Sequence, residues 1–399
     1  MYVFIILVVG CENCFYLVDT NSVNVKGTFN YTDIFMSLGI LWGLCIMLKY
    51  KKCSSPKYRF KYFVIFVVVM AIISSFRSEV LYGQPFYLGL RPQRFWIVWS
   101  LLYFPLSKLM HLKVITYNNL EKMFYALGTI ELVIYYLQYI LADQIVFLHV
   151  SQGLRYGDPR FYYEVVLLNI LLFICLCNLF NKKAHLKNTL YVIAILLFNM
   201  MVSKMRLTSL ALVLSICFGI IIWRKARGLK FVYILLAIVV GVFISNLPII
   251  KDTVSALMGG DKNLNIRDVG RQLYFSQLSL SPLLGRGYIN ELNYAAKSTA
   301  GFNQNIYLVD NGIFAFAYMY GLIGIGWFLL LWQKLYTMAL RVLIKANIYV
   351  FLLFMLYITI VLQNELQWYW GNRSILFIIF ICMLEARYRT TLDEESAKS

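Results

Sequence analysis

The sequence predicts an all-α polytopic membrane protein with about twelve transmembrane helices and a large outer loop. Two observations carry that expectation. Of 399 residues, 61% are hydrophobic and only 14% are charged, against about 25% charged in soluble globular domains. Apolar runs near the roughly 20 residues that a helix needs to cross a bilayer also recur along the whole chain. The runs are long rather than alternating, which excludes a β-barrel. The formal net charge of +18 does not imply a nucleic-acid partner. Basic residues between membrane helices chiefly set topology, and the chain has no long Lys/Arg-rich arm.

The whole chain, 1–399, reads as a single transmembrane domain. The expected spans are 2–18, 31–48, 62–76, 95–108, 123–142, 162–180, 189–203, 207–223, 231–249, 306–332, 348–363 and 374–386. The N-terminal stretch lacks a basic region ahead of its apolar run, so it reads as a first span, interrupted by Glu12, rather than a cleaved signal. Alternate connections differ in their cations. The set comprising 49–61, 108–122, 181–187, 224–230, 334–345 and the tail 387–399 holds sixteen lysines and six arginines. The other set holds five lysines and ten arginines. The lysine-rich set should face the cytoplasm, which places both termini and the tail 387–399 inside.

That split raises a chemical question. Topology requires positive charge on one side but does not require the other side to prefer arginine. Arginine presents a planar fork that clamps phosphate or carboxylate with two bonds, so an arginine-rich outer face suggests a site for an anionic group. The competing explanation is chance combined with side chains snorkelling at the interface. No metal site is visible. The histidines, His111, His149 and His185, are well separated, and most of the eight cysteines lie in apolar runs where they act as small hydrophobes. Cys11 and Cys14 have redox-like spacing without a βαβ context. No cofactor is expected.

Two outer loops, 143–161 and 250–305, are long for a compact bundle, and long ordered loops are usually functional. The first holds "SQGLRYGDPRFYYE", with Arg155 and Arg160 flanking a turn marked by Gly153, Gly157 and Pro159. Its tyrosines fit an interfacial aromatic belt. A short hairpin, "SKMRLTS", places Lys204 and Arg206 at a helix end, where a charge is costly and therefore a functional candidate. In the large loop Arg267 and Arg271 are four residues apart and share a face if helical. A partial apolar stripe through Leu273, Tyr274, Leu278 and Leu280 fits a surface helix ended by Ser281-Pro282. Arg286 then sits between two glycines whose backbone is able to approach a phosphate closely, although the sequence is no P-loop. Asp310 and Asn311 open the next span, and Gly312, Gly321, Gly324 and Gly326 allow close helix packing. Asp310 either pairs with an outer-loop arginine or serves as a general base.

These pieces, in this order, resemble the O-antigen polymerase and ligase superfamily over roughly 150–330. The carrying motifs are "GLRYGDPR", "RLTSL", Arg271 with "PLLGRG", and "DNGIFAFAYMYGLIG". Ligases of that family typically place a histidine where this chain has Asp310-Asn311, so the resemblance leans toward a repeat-unit polymerase. It implies a GT-C-type membrane glycosyltransferase of the bacterial cytoplasmic membrane. The donor and acceptor would be oligosaccharides on polyprenyl diphosphate in the membrane lipid, with chain-length regulator and flippase proteins as companions. No metal would take part. Arg206, Arg271 and Asp310 would be catalytic, with Arg155, Arg160, Arg267, Arg286, Glu291 and Asn311 binding substrate. Glu291 and Glu365 are alternatives to Asp310 as proton acceptor. The competing readings are an O-antigen ligase and, in another class, a flippase for the same lipid-linked unit.

Overall fold

In hydrocarbon a chain must satisfy its own backbone polar groups, and a continuous helix does so within one segment. The computed structural model is accordingly helical. It describes residues 2–19, 30–155, 158–223, 262–293, 297–302, 306–366 and 373–396. The expected span 231–249, the basic connection 224–230, residues 250–261 of the large loop, and Tyr156 and Gly157 lie outside the described residues.

The helices are α1 (Tyr2–Cys11), α2 (Thr32–Lys49), α3 (Lys61–Tyr82), α4 (Phe86–Leu101), α5 (Tyr103–His111), α6 (Tyr117–Ile140), α7 (Val166–Phe180), α8 (His185–Leu197), α9 (Arg206–Ile222), α10 (Lys262–Ser279), α11 (Gly312–Ala346), α12 (Val350–Val361) and α13 (Ser374–Ser396). Among the described residues five helical stretches are long and apolar enough to cross a membrane: Thr32–Lys49, Lys61–Tyr82, Tyr117–Ile140, His185–Val202 and Leu308–Ala346. Tyr2–Cys11, Val166–Phe180, Arg206–Ile222 and Val350–Val361 are shorter apolar helices. Several long helices leave greasy side chains uncovered, such as Leu41, Leu44 and Leu48 on α2. A soluble protein rarely exposes so continuous an apolar face, whereas lipid covers it.

Several expectations need amendment: the expected first span 2–18 is an α-helix only over Tyr2–Cys11, and the expected span 95–108 is divided between α4 and α5. Residues 334–345, expected as a connection, continue α11, and 387–396 of the expected tail continue α13. The join is held where Lys345 reaches Glu395 at 2.8 Å and Arg341 pairs with the same carboxylate. One antiparallel hairpin also interrupts the helical pattern. Strand β1 (Gln152–Arg155) pairs with β2 (Asp158–Phe161), Gly153 opposite Arg160 and Arg155 opposite Asp158.

The chain gathers into two compact units. One comprises Met1–Met123, Arg267–Lys345 and Leu362–Ser399; the other comprises Phe124–Ile266 and Ala346–Val361. In the first, α3 lies along α4, α2 packs on α1, α4 and α5, and α13 packs on α4 and α5. In the second, the almost wholly buried α7 packs on α8 and α12, and α12 packs on α9.

A clasp in the first unit positions the outer residues. Helix α11 breaks at Gly321, where φ is 65° and ψ is −164°. A break strands backbone donors and acceptors that hydrocarbon cannot satisfy. Residues 282–287 take them up. Leu322 N donates to Pro282 O at 2.8 Å and Ile323 N to Leu283 O at 3.2 Å, while Arg286 N and Gly287 N donate to Tyr318 O and Met319 O at 2.7 and 3.2 Å. The approach is so close that a Cβ at Gly321 would lie 2.3 Å from the Leu283 oxygen.

The same segment is tied to α3 and α4. Pro92 inside α4 has no N–H, so the Leu88 carbonyl four residues back lacks its helical donor. Asn290 Nδ2 donates to that carbonyl at 2.8 Å. Buried Gln84 holds the neighbouring backbone from both ends of its amide, donating to Tyr288 O at 2.9 Å and accepting from Asn290 N at 2.8 Å. These contacts overturn the reading of 285–287 as an open phosphate cradle. The glycines are needed for close approach, but what approaches is the protein's own backbone. The packing glycines divide as well. Gly321 breaks the helix, whereas Gly326 faces open space within 4 Å.

Candidate functional site

Helix α10 carries Arg267 and Arg271 to the start of α11. Gly270 makes the approach possible, because a Cβ there would meet the Asn311 side chain at 2.8 Å. The start of α11 is fixed in turn by Ile313 N donating to Leu362 O at 3.0 Å. Gly312 at φ 46° has no room for a side chain, since a Cβ would lie 2.1 Å from that same oxygen. Local sequence thus brings α10, the 308–311 turn and residues 362–365 together.

The arginines on α10 have acidic company. Arg271 Nη1 donates to Asp268 Oδ1 at 2.9 Å and Nη2 to Asn364 Oδ1 at 2.7 Å, with the guanidinium 5.5 Å from the Phe314 ring centre. Its Nε is buried without a hydrogen-bond partner. Arg267 reaches Asp310 Oδ1 only at 3.9 Å, and the Asp310 side chain is 48% exposed. Asp310 is therefore loosely paired and accessible. Asn311 is buried, with Nδ2 donating to Tyr307 O at 2.9 Å and Oδ1 unpartnered. Arg373 pairs with Glu365 at 3.5 Å. Three cations here meet three carboxylates. One turn along α10 from Arg271, Tyr274 is buried and donates to Ala300 O at 3.1 Å. Burial pushes its hydroxyl up from the ordinary value, with a further push from the charge on Asp310.

A second group lies on the clasp. Arg286 Nε donates to Tyr82 Oη at 2.7 Å, and its guanidinium lies 5.2 Å from that ring centre. Arg77 Nη2 donates to Ser281 Oγ at 2.6 Å and Gly285 O at 3.5 Å, and its Nε is buried without a partner. The Arg77 Cβ lies 3.0 Å from where a Gly287 side chain would begin. Both arginines therefore rest on the Gly285–Gly287 turn, and every contact described for them is with a neutral acceptor or ring. Tyr274 and Tyr318, with ring centres 5.0 Å apart, pack between α10 and α11. Exposed Glu291 lines a cleft of about 240 Å³ together with Pro92, Tyr288, Asn290, Phe302, Leu308 and Val309 among others.

The second unit assembles its own cluster. Arg160 on β2 donates from Nε to Ser203 O at 3.1 Å and lies 4.5 Å from the Tyr162 ring centre. Lys204, 3% exposed and at φ 51°, donates from Nζ to Pro159 O at 3.3 Å. Arg206 is the first residue of α9, where a cation opposes the helix macrodipole. Beneath them a five-residue π-turn, Phe198–Val202, carries buried Asn199, which donates to Asn169 Oδ1 at 3.2 Å; Asn169 donates on to Tyr357 Oη at 2.8 Å. Arg155 stands opposite Asp158 in backbone register.

The structure brings Arg267, Arg271, Asp310 and Asn311 to one place and sets Arg160 beside Ser203, whereas Arg206, expected in one catalytic set with Arg271, belongs to the second unit. Sequence reasoning missed Arg77, Tyr82 and Asn364. One signal for Arg77 was available: it belongs to the arginine-rich outer set. Arg94 of that set is accounted for by structure, since its fork grips Asp33 at 2.7 and 3.1 Å. Among the described residues no group of His, Cys, Asp or Glu could hold a metal ion. No protein-family model and no curated protein matches the chain.

Proposed function

We propose that this protein is a metal-independent membrane glycosyltransferase that joins oligosaccharide repeat units carried on polyprenyl diphosphate at the outer face of a bacterial cytoplasmic membrane. It would be built on about twelve spans in the manner of GT-C-type enzymes, with both termini inside. The reaction breaks the bond between the donor's anomeric carbon and its diphosphate. A hydroxyl of the acceptor glycan attacks that carbon and loses its proton. Negative charge grows on the departing lipid diphosphate, and fixed cations must meet it.

The observation that carries this reading is the pair Arg77 and Arg286. Among the described residues they are cations held in place by neutral partners, on backbone pinned by the break at Gly321. A guanidinium already neutralised by a carboxylate has less attraction left for a diphosphate. The geometry therefore favours Arg286, with Arg77, as the clamp over Arg271, whose fork is occupied by Asp268 and Asn364. Arg267 then serves to place Asp310, and Arg271 ties the helix to Asn364. With its loose pairing and half-exposed carboxylate, Asp310 is suited to take the acceptor's proton.

The test is a gel of surface and lipid-linked polysaccharide from a strain lacking the gene. Products stopping at one repeat unit support polymerisation. Full-length chains left on their lipid carrier would make the protein a ligase. A flippase is the second reading, favoured by one observation, because transporters use helices broken as α11 is. Single units trapped on the cytoplasmic leaflet would establish it.

A further inference from the structure

The other end of α3 presents a cation cluster that the proposed reaction does not use. Glu385 on α13 is fully buried. Its carboxylate accepts from Tyr103 Oη at 2.6 Å and from the Arg59 backbone N at 3.2 Å, and it lies 4.0 Å from Arg389 Nη2. Around this single acid stand the side chains of Arg59, Lys334 and Arg389. Lys334 Nζ donates to the Arg59 carbonyl and lies 4.9 and 5.1 Å from the Phe60 and Phe63 ring centres. Arg389 Nη2 also donates to Ser107 Oγ at 3.2 Å, and the Arg59 guanidinium lies 4.8 Å from the Tyr388 ring centre.

Donors are left over. Arg389 Nε and Nη1, Arg59 Nε and the Tyr58 hydroxyl are all buried without a hydrogen-bond partner. Tyr58 is close enough to feel the charges of both Arg389 and Glu385. Among the described residues, three cations against the one carboxylate of Glu385 leave an excess of positive charge. A buried guanidinium with unmade bonds is costly enough that an anion normally answers it. Arginine forks and a hydroxyl together match the oxygens of a phosphate group. Basic pockets between membrane helices are where lipid phosphates bind.

We infer that Tyr58, Arg59 and Arg389, backed by Lys334, form a binding site for a phosphate group at the lysine-rich end of the first unit. The phosphate belongs either to the headgroup of an anionic phospholipid or to a free phosphate ion. This site is separate from the clamp at Arg77 and Arg286 and does not depend on the reaction proposed there.

The experiment uses the full chain, purified in neutral detergent and then placed in vesicles of phosphatidylcholine alone or mixed with phosphatidylglycerol. Its unfolding midpoint is followed by tryptophan fluorescence. The site predicts a midpoint several degrees higher with phosphatidylglycerol, and most of that rise lost in Arg389→Gln. Inorganic phosphate added to the detergent-solubilised protein separates the sources. A matching rise there assigns the site to free phosphate, and a rise only in the lipid mixture assigns it to a headgroup. Binding through Arg389 should weaken about tenfold or more in the variant, the usual effect of losing a charge-assisted bond. Should Arg389→Gln fail to fold, Arg59→Gln carries the same comparison. The wild-type protein retaining a phosphate-bearing species in native mass spectrometry is also expected. No rise with either anion, or an equal rise in the folded variants, overturns the inference.

Discussion

Two arginine groups in the first unit differ in what answers their charge. Arg267 and Arg271 meet Asp310 and Asp268, whereas Arg77 and Arg286 meet a serine hydroxyl, a backbone carbonyl and a tyrosine. The first arrangement neutralises itself. The second orients two cations without neutralising them, leaving their fields available to an incoming anion. Counting arginines in a loop does not make this distinction, and a chemical role depends on it.

The largest way to break the comparison is to remove its scaffold. Gly321→Ala places a methyl against the Leu283 carbonyl in a backbone conformation that alanine resists. The expected cost is about 3 kcal/mol or more, read as loss of folded protein on size-exclusion chromatography. Next comes the clamp. Arg286→Ala should slow chain elongation roughly a hundredfold or more, the scale for deleting a donor aimed at developing charge. The protein should still fold, because the backbone bonds of residue 286 remain. Normal polymer length in that variant would remove the clamp from Arg286.

Asp310→Asn should reduce turnover about a hundredfold with little change in KM if it accepts the acceptor's proton. An unchanged rate makes Asp310 a structural partner of Arg267. Arg271→Lys sharpens the contrast further. Lysine cannot hold Asp268 and Asn364 with one fork, and about a tenfold loss is expected for one charge-assisted bond. A loss larger than that of Arg286→Ala would reverse the ranking of the two groups. The smallest effect belongs to Arg94→Lys, which weakens a two-bond grip on Asp33. It should cost about 1 kcal/mol in thermal stability and leave elongation alone.

Much of the helical architecture was legible because it is set by local composition. The apolar runs opening at Thr32, Lys61, Val166 and Arg206 appear as helices within a few residues of where hydropathy places them. So was the approach of Arg267 to Asp310, since an acid opening a span calls for an outer-loop cation; Arg271, on the same face of the helix, goes to Asp268 and Asn364 instead. What could not be read is pairing across long separations. Gln84 and Tyr288 are 204 residues apart, and nothing local in either stretch specifies the other. Arg77 was hidden for the same reason. Gly321 stood among four similar glycines, and only the carbonyls around it reveal which one breaks the helix. The hairpin at 152–161 escaped notice because a four-residue strand is too short to impose a period on a tyrosine-rich loop.

The clasp also dates its own assembly. The α3–α4 hairpin leaves the ribosome long before the segment that satisfies it, since Leu88 waits 202 residues for Asn290 and Gln84 waits 206 for the same backbone. Gly321 emerges later still. Until that segment arrives the Gln84 amide keeps only its bond to Ser78 within the hairpin and the Leu88 carbonyl lacks its Asn290 donor, and leaving such groups bare in hydrocarbon costs several kcal/mol each. The early hairpin must therefore be sheltered in water or beside the insertion machinery. The final seating of these helices is a late event in biosynthesis, waiting on the arrival of residues 288–290.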